Sequence, residues 1–228
     1  MLPYFQKDGI TIFQGNCLDV MPSLQARSVD LVLTDPPYLV GYEGRWDSDR
    51  RQIIGDRDPS WLEPAFANIW RLLREDSFCI SFYGWPHIDL FLGFWKKIGF
   101  RPVSHLAFVK SHWGLGRFTR GRHETAFLLA KGRPSKPKKA IPDVINWKRD
   151  RFKHHPNQKP VAALIPLIET FCPADGVVLD PFMGSGSTLL AAREVDNIAV
   201  GIEIESRYCQ SATKRITQAI LPLVDTAR

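Results

Sequence analysis

The chain has 228 residues, 44% of them hydrophobic, which allows one large α/β domain or two small ones with a substantial core. Its formal net charge of +6 suits an anionic partner. The four cysteines form no C-x-x-C pair, which argues against a zinc knuckle or a disulfide framework. The sequence shows neither a signal-peptide pattern nor an apolar stretch long enough to span a bilayer, so we expect a soluble, cytoplasmic protein with reduced thiols.

Short apolar runs alternate with helical patterns along the chain. Strands are predicted at Ile10–Phe13, Val29–Leu33, Phe78–Tyr83, Val103–Val109, Thr125–Ala130, Val177–Leu179 and Ile198–Ile204. Helices are predicted from about Leu18, over Trp61–Arg74, over Pro86–Ile98 with Gly99 as the stop, over Pro160–Cys172, over Ser187–Glu194, and in a last segment ending near Ile220. This alternation predicts an α/β fold with a doubly wound, mostly parallel sheet.

The stretch LDPFMGSGST, residues 179–188, runs from an apolar strand into a G-x-G turn that opens a helix. Glycines there allow the backbone to approach a ligand, and the free N–H groups of a helix start favour anionic groups. Glu203 follows Gly186 by 17 residues, at the end of the next strand, where an acid can hold ribose hydroxyls. The pair predicts an adenosine-type cofactor site, although Leu189 replaces the third glycine of the dinucleotide fingerprint, and a glycine turn without special function is the alternative.

The stretch VDLVLTDPPY, residues 29–38, ends a buried strand in an acid, two prolines and a tyrosine. Two prolines stiffen the backbone and remove two N–H donors, so the segment offers acceptors only: the Asp35 carboxylate and the Pro36 carbonyl. Such a rim, beside the ring of Tyr38, fits the exocyclic amine of a planar base, and fixed acceptors stabilise the positive charge that develops on the amine when it attacks an electrophile. An ordinary strand-ending turn is the alternative, because Asp and Pro are common in turns.

Together, VLTDPPY and LDPFMGSGST resemble the DNA amino-methyltransferases that use S-adenosylmethionine (SAM), in which DPPY is the catalytic motif and the glycine turn the cofactor motif. With the catalytic motif first, the order resembles the beta class. GNCL (15–18) is similar to that family's GDCL turn near the cofactor's adenine, and HPNQKP (155–160) to its HPTQKP segment near the cofactor's amino-acid end. Arg122-His123-Glu124 resembles the segment that lines the target-base pocket. The resemblance implies a seven-stranded, mostly parallel sheet with one antiparallel strand.

Two sets of site residues follow from this resemblance. The catalytic set is Asp35, Pro36, Pro37 and Tyr38. The cofactor set is Asn16, Cys17, Asp35, Gln158, Lys159, Asp180, Pro181, Phe182, Gly184, Ser185, Gly186, Thr188 and Glu203. No metal site is expected, because His154 and His155 lack a suitably spaced set of Cys or His partners.

Basic residues concentrate between Arg101 and Pro160, where 15 of the chain's 30 Lys and Arg residues lie beside only three acids. This favours contact with the phosphates of duplex DNA, although a solvated basic face is the alternative. The candidates for DNA contact are Arg117, Arg120, Arg122, Lys136, Lys138, Lys139, Arg149 and Lys153. Candidates to replace the stacking of a flipped-out base are the aromatic residues Trp46, Trp113 and Phe118, for each of which core packing is the alternative.

The whole chain, residues 1–228, is expected to form a single catalytic domain. The charged stretch at about 39–60 predicts a lid or long loop, and residues from about 132 to 154 a short target-recognition insertion. Because that insertion is shorter than in larger members of the family, we expect either a homodimer that shares the reading of the DNA or a contribution from the 39–60 loop.

The sequence therefore predicts a site-specific DNA methyltransferase that transfers a methyl group from SAM to the N6 amine of adenine, after base flipping. An enzyme acting on the N4 amine of cytosine is one alternative, although such enzymes more often have Ser in place of Asp35. An RNA or protein-amide methyltransferase is another, and the amide enzymes tend to have Asn there. A non-catalytic DNA-binding module is the third. The recognition sequence and a partner nuclease of a restriction-modification system are left open.

Overall fold

The computed structural model describes residues 2–41, 54–114, 118–147 and 159–220. These residues form one nine-stranded sheet with the order β1-β2-β9-β8-β3-β4-β6-β5-β7. The strands are β1 (Phe5–Lys7), β2 (Ile10–Gln14), β3 (Val29–Thr34), β4 (Leu73–Phe82), β5 (Arg101–Lys110), β6 (His123–Lys131), β7 (Val144–Trp147), β8 (Val177–Asp180) and β9 (Ile198–Glu203).

The seven strands from β2 to β5 in the sheet order are those that the sequence predicts. β2, β9, β8, β3 and β4 are parallel neighbours, whereas β6 is antiparallel to both β4 and β5. The prediction of a mostly parallel, doubly wound sheet with an antiparallel strand is thus confirmed. Two short edge strands were missed: β1, antiparallel to β2, and β7, parallel to β5. Both are too short, and too exposed in part, to give a clear apolar pattern.

Helices cover both faces of the sheet. In the described residues the α-helices are α1 (Cys17–Val20), α2 (Leu62–Leu72), α3 (Ile88–Ile98), α4 (Val161–Phe171), α5 (Ser187–Arg193) and α6 (Ser206–Ile220). The first three share a core with one sheet face and the last three with the other. β3 contributes side chains to both cores, with Leu31 and Leu33 on one side and Val29 and Val32 on the other. This explains its continuous apolar sequence.

The end of α3 confirms the stop predicted at Gly99. This glycine has φ 119°, and its N–H donates to the carbonyls of Trp95 and Lys96 at 3.2 Å and 3.1 Å. Such a left-handed residue satisfies carbonyls that the helix leaves without partners. Within the described residues, no helix is both long and apolar enough to cross a membrane.

The end of α2 differs from the prediction. The apolar spacing extends the helix to Arg74, but α2 stops at Leu72 and the chain continues directly as β4 from Leu73. The reason is tertiary: the Lys131 ammonium, from β6, donates to the carbonyls of Trp70 and Leu73, each at 2.7 Å. A distant lysine thus satisfies carbonyls that a longer helix would have bonded internally.

Candidate active site

The two motif loops leave neighbouring strands at the same edge of the sheet. β3 pairs in parallel with β8, with Leu31 opposite Val178 and Val32 opposite Leu179. Beyond that register, the Thr34 hydroxyl donates to Asp180 Oδ1 at 2.8 Å. The structure therefore brings the DPPY segment and the glycine turn together, as expected for loops at the carboxyl ends of adjacent parallel strands.

Asp180 is almost fully buried, with 3% of its surface exposed, and is held by neutral donors. Its Oδ1 also accepts from the N–H of Phe182 at 3.1 Å, and the Thr188 side chain hydrogen-bonds to the same carboxylate. Burial raises the pKa of Asp180 to about 6, and these hydrogen bonds oppose the rise. The carboxylate thus fastens the turn and the first residues of α5 to the end of β3.

Two glycines with positive φ shape the turn itself. Gly184 has φ 50° and Gly186 φ 79°, conformations that other residues adopt only at a cost. A Cβ on Gly186 would lie 3.0 Å from the Cβ of Ala212, so α6 leaves little space there. A Cβ on Gly184 would meet no atom within 4 Å, so the backbone at this point faces open space that a ligand can enter.

Arg215 of α6 fixes the other side of the turn. Its Nη1 donates to the carbonyl of Ser185 at 2.6 Å and lies 3.1 Å and 3.3 Å from the hydroxyls of Ser185 and Ser187. These charge-assisted contacts tie α6 to the glycine turn. Arg215 was not among the predicted site residues; its spacing from Ala212 and Ile216, which share its buried helix face, is the signal that could have indicated it.

Glu203, at the end of β9, borders the turn on the far side from Asp35. Its Oε2 accepts from the Gly184 N–H at 3.0 Å and its Oε1 from the Glu205 N–H at 2.8 Å. Burial raises the pKa of Glu203 to about 7. The Gly15 N–H donates to the Glu203 carbonyl at 2.9 Å, which places the predicted Gly15-Asn16 turn beside this carboxylate.

Other residues of the predicted cofactor set differ in burial and in hydrogen bonding. The Asn16 side chain caps α1 by accepting from the Leu18 N–H at 3.0 Å. Cys17 is buried in the core, and burial raises the pKa of its thiol to about 12. Pro181 is buried as well, whereas Phe182 is half-buried.

Trp61 covers the Phe182 side of the turn and was also missed. The two rings meet edge to face with centroids 5.2 Å apart, and the Trp61 indole N–H donates to the Gly55 carbonyl at 2.8 Å. The described end of the predicted 39–60 lid, residues 54–60, is thereby connected to the glycine turn. Its role as a lid stays a prediction.

Asp35 presents its carboxylate on the opposite side of the site and is 28% exposed at the side chain. Its Oδ1 accepts from the Tyr38 hydroxyl at 2.6 Å, and its Oδ2 is paired with the Lys159 ammonium. Pro36 is buried and Pro37 half-buried. Behind the segment, a Cβ on Gly84 would lie 2.5 Å from the Tyr38 carbonyl oxygen, so the loop packs directly on the backbone after β4.

Lys159 links Asp35 to two further charged residues, and we call Asp35, Lys159, Glu124 and Lys110 the lysine–carboxylate cluster. The Lys159 ammonium lies 3.0 Å from Glu124 Oε2, and the Lys110 ammonium 2.5 Å from Glu124 Oε1. Glu124 reaches this edge because β6 runs antiparallel, which puts its first residues at the carboxyl ends of β4 and β5. Lys159 was predicted to bind the cofactor, and its contact with Asp35 was not predicted.

The predicted DNA-contact residues that the structure describes lie on the surface. Arg120 and Arg122 stand over the Trp113 ring at 6.0 Å and 5.4 Å, and Trp113 is 59% exposed. All of Lys136, Lys138 and Lys139 are exposed. Their contact with DNA stays a prediction.

Several predicted residues lie outside the described ranges: Trp46, Arg117, Arg149, Lys153, His154, His155 and Gln158. Among the residues inside those ranges, no group of three or more His, Cys, Asp or Glu is arranged to hold a metal ion.

Comparison with known proteins gives consistent results. A family model described as DNA methylase matches residues 29–214. The putative methylase YubD of Escherichia coli (strain K12) is 44% identical over 203 residues, which cover 89% of this chain and 88% of YubD. The type II methyltransferase M2.MboI of Moraxella bovis is 27% identical over 256 residues, covering 93% and 90% of the two chains.

Solved structures share the fold. M1.HpyAVI superposes with a TM-score of 0.71 at 24% identity, covering 91% of this chain and 98% of that one. The cytosine-N4-specific PvuII DNA methyltransferase gives a TM-score of 0.79 at 16% identity, covering 97% and 90%. With a family model that matches most of its length, this chain belongs to the DNA methylase family, the SAM-dependent DNA amino-methyltransferases.

Proposed function

We propose that the protein methylates the N6 amine of adenine in duplex DNA. The observation that carries the proposal is the joint placement of Asp35 and the glycine turn, fastened by the 2.8 Å hydrogen bond from Thr34 to Asp180. Within the family, Asp rather than Ser at position 35 favours adenine over cytosine.

The residues around the turn fit SAM. The open space in front of Gly184 admits a ligand to the backbone, and the Glu203 carboxylate, 3.0 Å from the Gly184 N–H, is placed to accept bonds from ribose hydroxyls. We propose that the other residues of the turn, from Asp180 to Thr188, form the rest of the cofactor site, with Asn16 beside Glu203. When bound, SAM supplies an electrophilic methyl group on a sulfonium ion.

The DPPY segment supplies the complementary chemistry. The Asp35 carboxylate and the Pro36 carbonyl accept the two N–H bonds of the target amine and hold its lone pair toward the methyl donor. Acceptors fixed in a partly buried site also stabilise the positive charge that grows on the nitrogen. The pKa of Tyr38 is raised, first by burial and then by the charges of Asp35 and Glu124, so its phenol stays protonated while its ring stacks on the base.

A base inside a duplex does not reach Asp35, so the proposal includes base flipping. Trp113, with Arg120 and Arg122 against its ring, lies on the surface beyond β5 and combines an aromatic face with positive charge. Such a combination suits contact with an unstacked base and the adjoining phosphates. Lys136, Lys138 and Lys139 extend the positive surface in the segment that we propose for target recognition, which also contributes β7 to the sheet.

Transfer to the N4 amine of cytosine is the second candidate, and the fold similarity to the cytosine-N4-specific PvuII enzyme, with a TM-score of 0.79, favours it. The test is expression in a bacterial host without adenine methylation, followed by mass spectrometry of the nucleosides and sequencing of the modified bases. N6-methyladenine at a defined sequence supports the proposal. N4-methylcytosine would assign the second candidate. Modified RNA or protein, or DNA binding with no transfer, would refute both.

We also propose that one subunit is too small to read a full site alone and that a homodimer does so. The support is the short segment between β6 and Lys159. Sedimentation velocity at assay concentrations, with and without DNA, tests this proposal. A fully active monomer in dilute solution would contradict it.

A further inference from the structure

The Lys159 ammonium is enclosed to a degree unusual for a lysine. Its side chain is 9% exposed and its Nζ contacts the carboxylates of both Asp35 and Glu124. Its Nζ also lies 4.6 Å from the centroid of the Phe82 ring and 5.8 Å from that of Trp147. In such surroundings charges are weakly screened, so each partner of Lys159 strongly affects the others.

Asp35 faces two opposing demands in the proposed reaction. Burial favours its neutral acid form, which would lose acceptor capacity, so a nearby positive charge is needed to keep it ionised. A lysine bound to Asp35 alone, however, would occupy the oxygens that the target amine must use. Tyr38 already donates to Oδ1 at 2.6 Å, which leaves little capacity to spare.

Glu124 offers a way to meet both demands. It is the second carboxylate on Lys159, at 3.0 Å, and is itself held by Lys110 at 2.5 Å. The four charges of the lysine–carboxylate cluster sum to zero, so the cluster as a whole adds no net charge to the buried site. Glu124 thus gives the ammonium a second place to bind without removing it from the neighbourhood of Asp35.

We propose that Glu124 is a positioning residue for methyl transfer: it shares the Lys159 ammonium with Asp35, so that Lys159 keeps Asp35 ionised while Asp35 can still accept the target amine. This rests on the proposed function, because it presumes that Asp35 receives that amine. Glu124 acts through Lys159 and is not itself placed on the reacting atoms.

The electrostatics of the cluster agree with this role. Burial raises the pKa of Asp35, Lys159 opposes the rise, and the charge of Glu124 adds to it. Burial alone would lower the pKa of Lys159, but Asp35 and Glu124 outweigh it and raise that pKa. Burial would likewise raise the pKa of Glu124, but Lys159 and Lys110 lower it. The other titratable groups that face Asp35 are the Tyr38 phenol, which stays protonated, and Asp180 across the strand pair.

The test compares the pH dependence of kcat in three proteins: wild type, Glu124→Gln and Lys159→Met. In Glu124→Gln a negative charge near Asp35 is lost, so the fall of kcat at low pH, the acid limb of the profile, moves to lower pH. Because Lys159 then binds Asp35 alone and occupies its oxygens, kcat at neutral pH falls about tenfold or more. In Lys159→Met, Asp35 loses its positive neighbour, and the acid limb moves at least about one unit to higher pH. Cofactor affinity stays within about twofold of wild type in Glu124→Gln.

The matched control is Glu63→Gln, which removes the same charge from a partly exposed ion pair with Lys97 at 2.7 Å, outside the lysine–carboxylate cluster. It leaves kcat and the acid limb unchanged. If Glu124→Gln behaves like Glu63→Gln, or lowers kcat without moving the acid limb, the inference is overturned. Wild-type enzyme that methylates no DNA would instead contradict the proposed function, so the two failures are distinguishable. Melting temperatures of all variants separate misfolding from the pH effect.

Discussion

Asp35 and Asp180 occupy equivalent places at the ends of two adjacent parallel strands, yet their surroundings differ. Asp180 is 3% exposed and bound by neutral donors from Thr34, Phe182 and Thr188. Asp35 is 28% exposed at the side chain and bound by an ammonium ion and a phenol.

We infer from this difference that the two carboxylates have different tasks at the same edge of the sheet. A carboxylate saturated by hydrogen bonds from its own loop holds that loop in shape and has little capacity for a substrate. A carboxylate held by a shared lysine is kept charged and stays open to a further donor. We therefore assign Asp180 to shaping the cofactor side and Asp35 to the chemistry.

The largest effect is expected from Asp35→Ala. Loss of the acceptor should lower the single-turnover rate of methyl transfer by about 100- to 1,000-fold or more, the range found when one preorganised group that stabilises developing charge is removed. Filter binding with tritiated methyl groups measures the rate. Asp89→Ala, at the exposed start of α3, is the control and keeps the wild-type rate. Wild-type turnover in Asp35→Ala would exclude Asp35 from the chemistry.

The next prediction concerns Asp180 and the stability of the variant Thr34→Val. Removing the hydroxyl leaves the buried carboxylate short of a donor, which costs about 1–3 kcal/mol of unfolding free energy at neutral pH. The Thr34 hydrogen bond stabilises the ionised form of Asp180, and the variant lacks it. The loss of unfolding free energy is therefore largest above pH 6 and shrinks as Asp180 becomes protonated below that pH. Urea unfolding at several pH values measures this, with Thr11→Val on β2 as control. A deficit independent of pH would contradict the assignment.

The raised pKa of Asp180 also determines in which direction its ionisation changes the stability of the fold with pH. Because the folded pKa of about 6 lies above the ordinary 3.8, folding favours the protonated form. Its contribution to stability is complete below pH 3.8 and is lost as the pH rises through about 6.

A smaller effect is expected for Glu203, on the pH dependence of cofactor affinity. Its pKa of about 7 means that this side chain, proposed to accept ribose hydroxyls, is mostly protonated one unit below that value. Cofactor affinity should therefore rise about tenfold between pH 6 and pH 8, and calorimetry should show proton release on binding. In Glu203→Gln the affinity is lower and independent of pH. A flat profile in the wild type would show that Glu203 does not bind the cofactor in its ionised form.

The smallest effect is expected outside the two-carboxylate site. Arg120→Gln and Arg122→Gln should each raise KM for DNA a few-fold and reduce the slope of log affinity against log salt by about one, without changing kcat. Arg101→Gln, at the other end of β5, changes the same charge and is the control. An unchanged salt dependence in the first two variants would remove this surface from the DNA interface.

Much of the fold could be predicted because its signals are local. The continuous apolar run of β3, the glycine that ends α3, and the strand–turn–helix at residues 177–193 each carry their structure in a few neighbouring residues. The end of α2 was missed because Lys131, some 60 residues along the chain, satisfies its last carbonyls. The edge strands β1 and β7 gave no apolar alternation to detect.

The candidate site likewise combines parts that local sequence shows with parts that depend on contacts between distant residues. The DPPY segment and the glycine turn were recognisable as stretches, and adjacency of β3 and β8 brought them together. Their supports come from afar in sequence: Arg215 on the turn, Trp61 on Phe182, and Glu124 on Lys159. No local pattern pairs Lys159 with Asp35, because the two residues lie 124 positions apart in the chain. Glu124 joins them because β6 runs antiparallel, which periodicity alone does not reveal.

The most direct test of the central claim measures the single-turnover rate and the cofactor dissociation constant side by side in Asp35→Ala and Asp180→Ala. We expect opposite patterns in the two variants. Asp35→Ala loses the rate but keeps cofactor affinity within about threefold, whereas Asp180→Ala weakens cofactor binding about tenfold or more and keeps most of the rate at saturating cofactor. Equal losses of both quantities in the two variants, or a retained rate in Asp35→Ala, would contradict it.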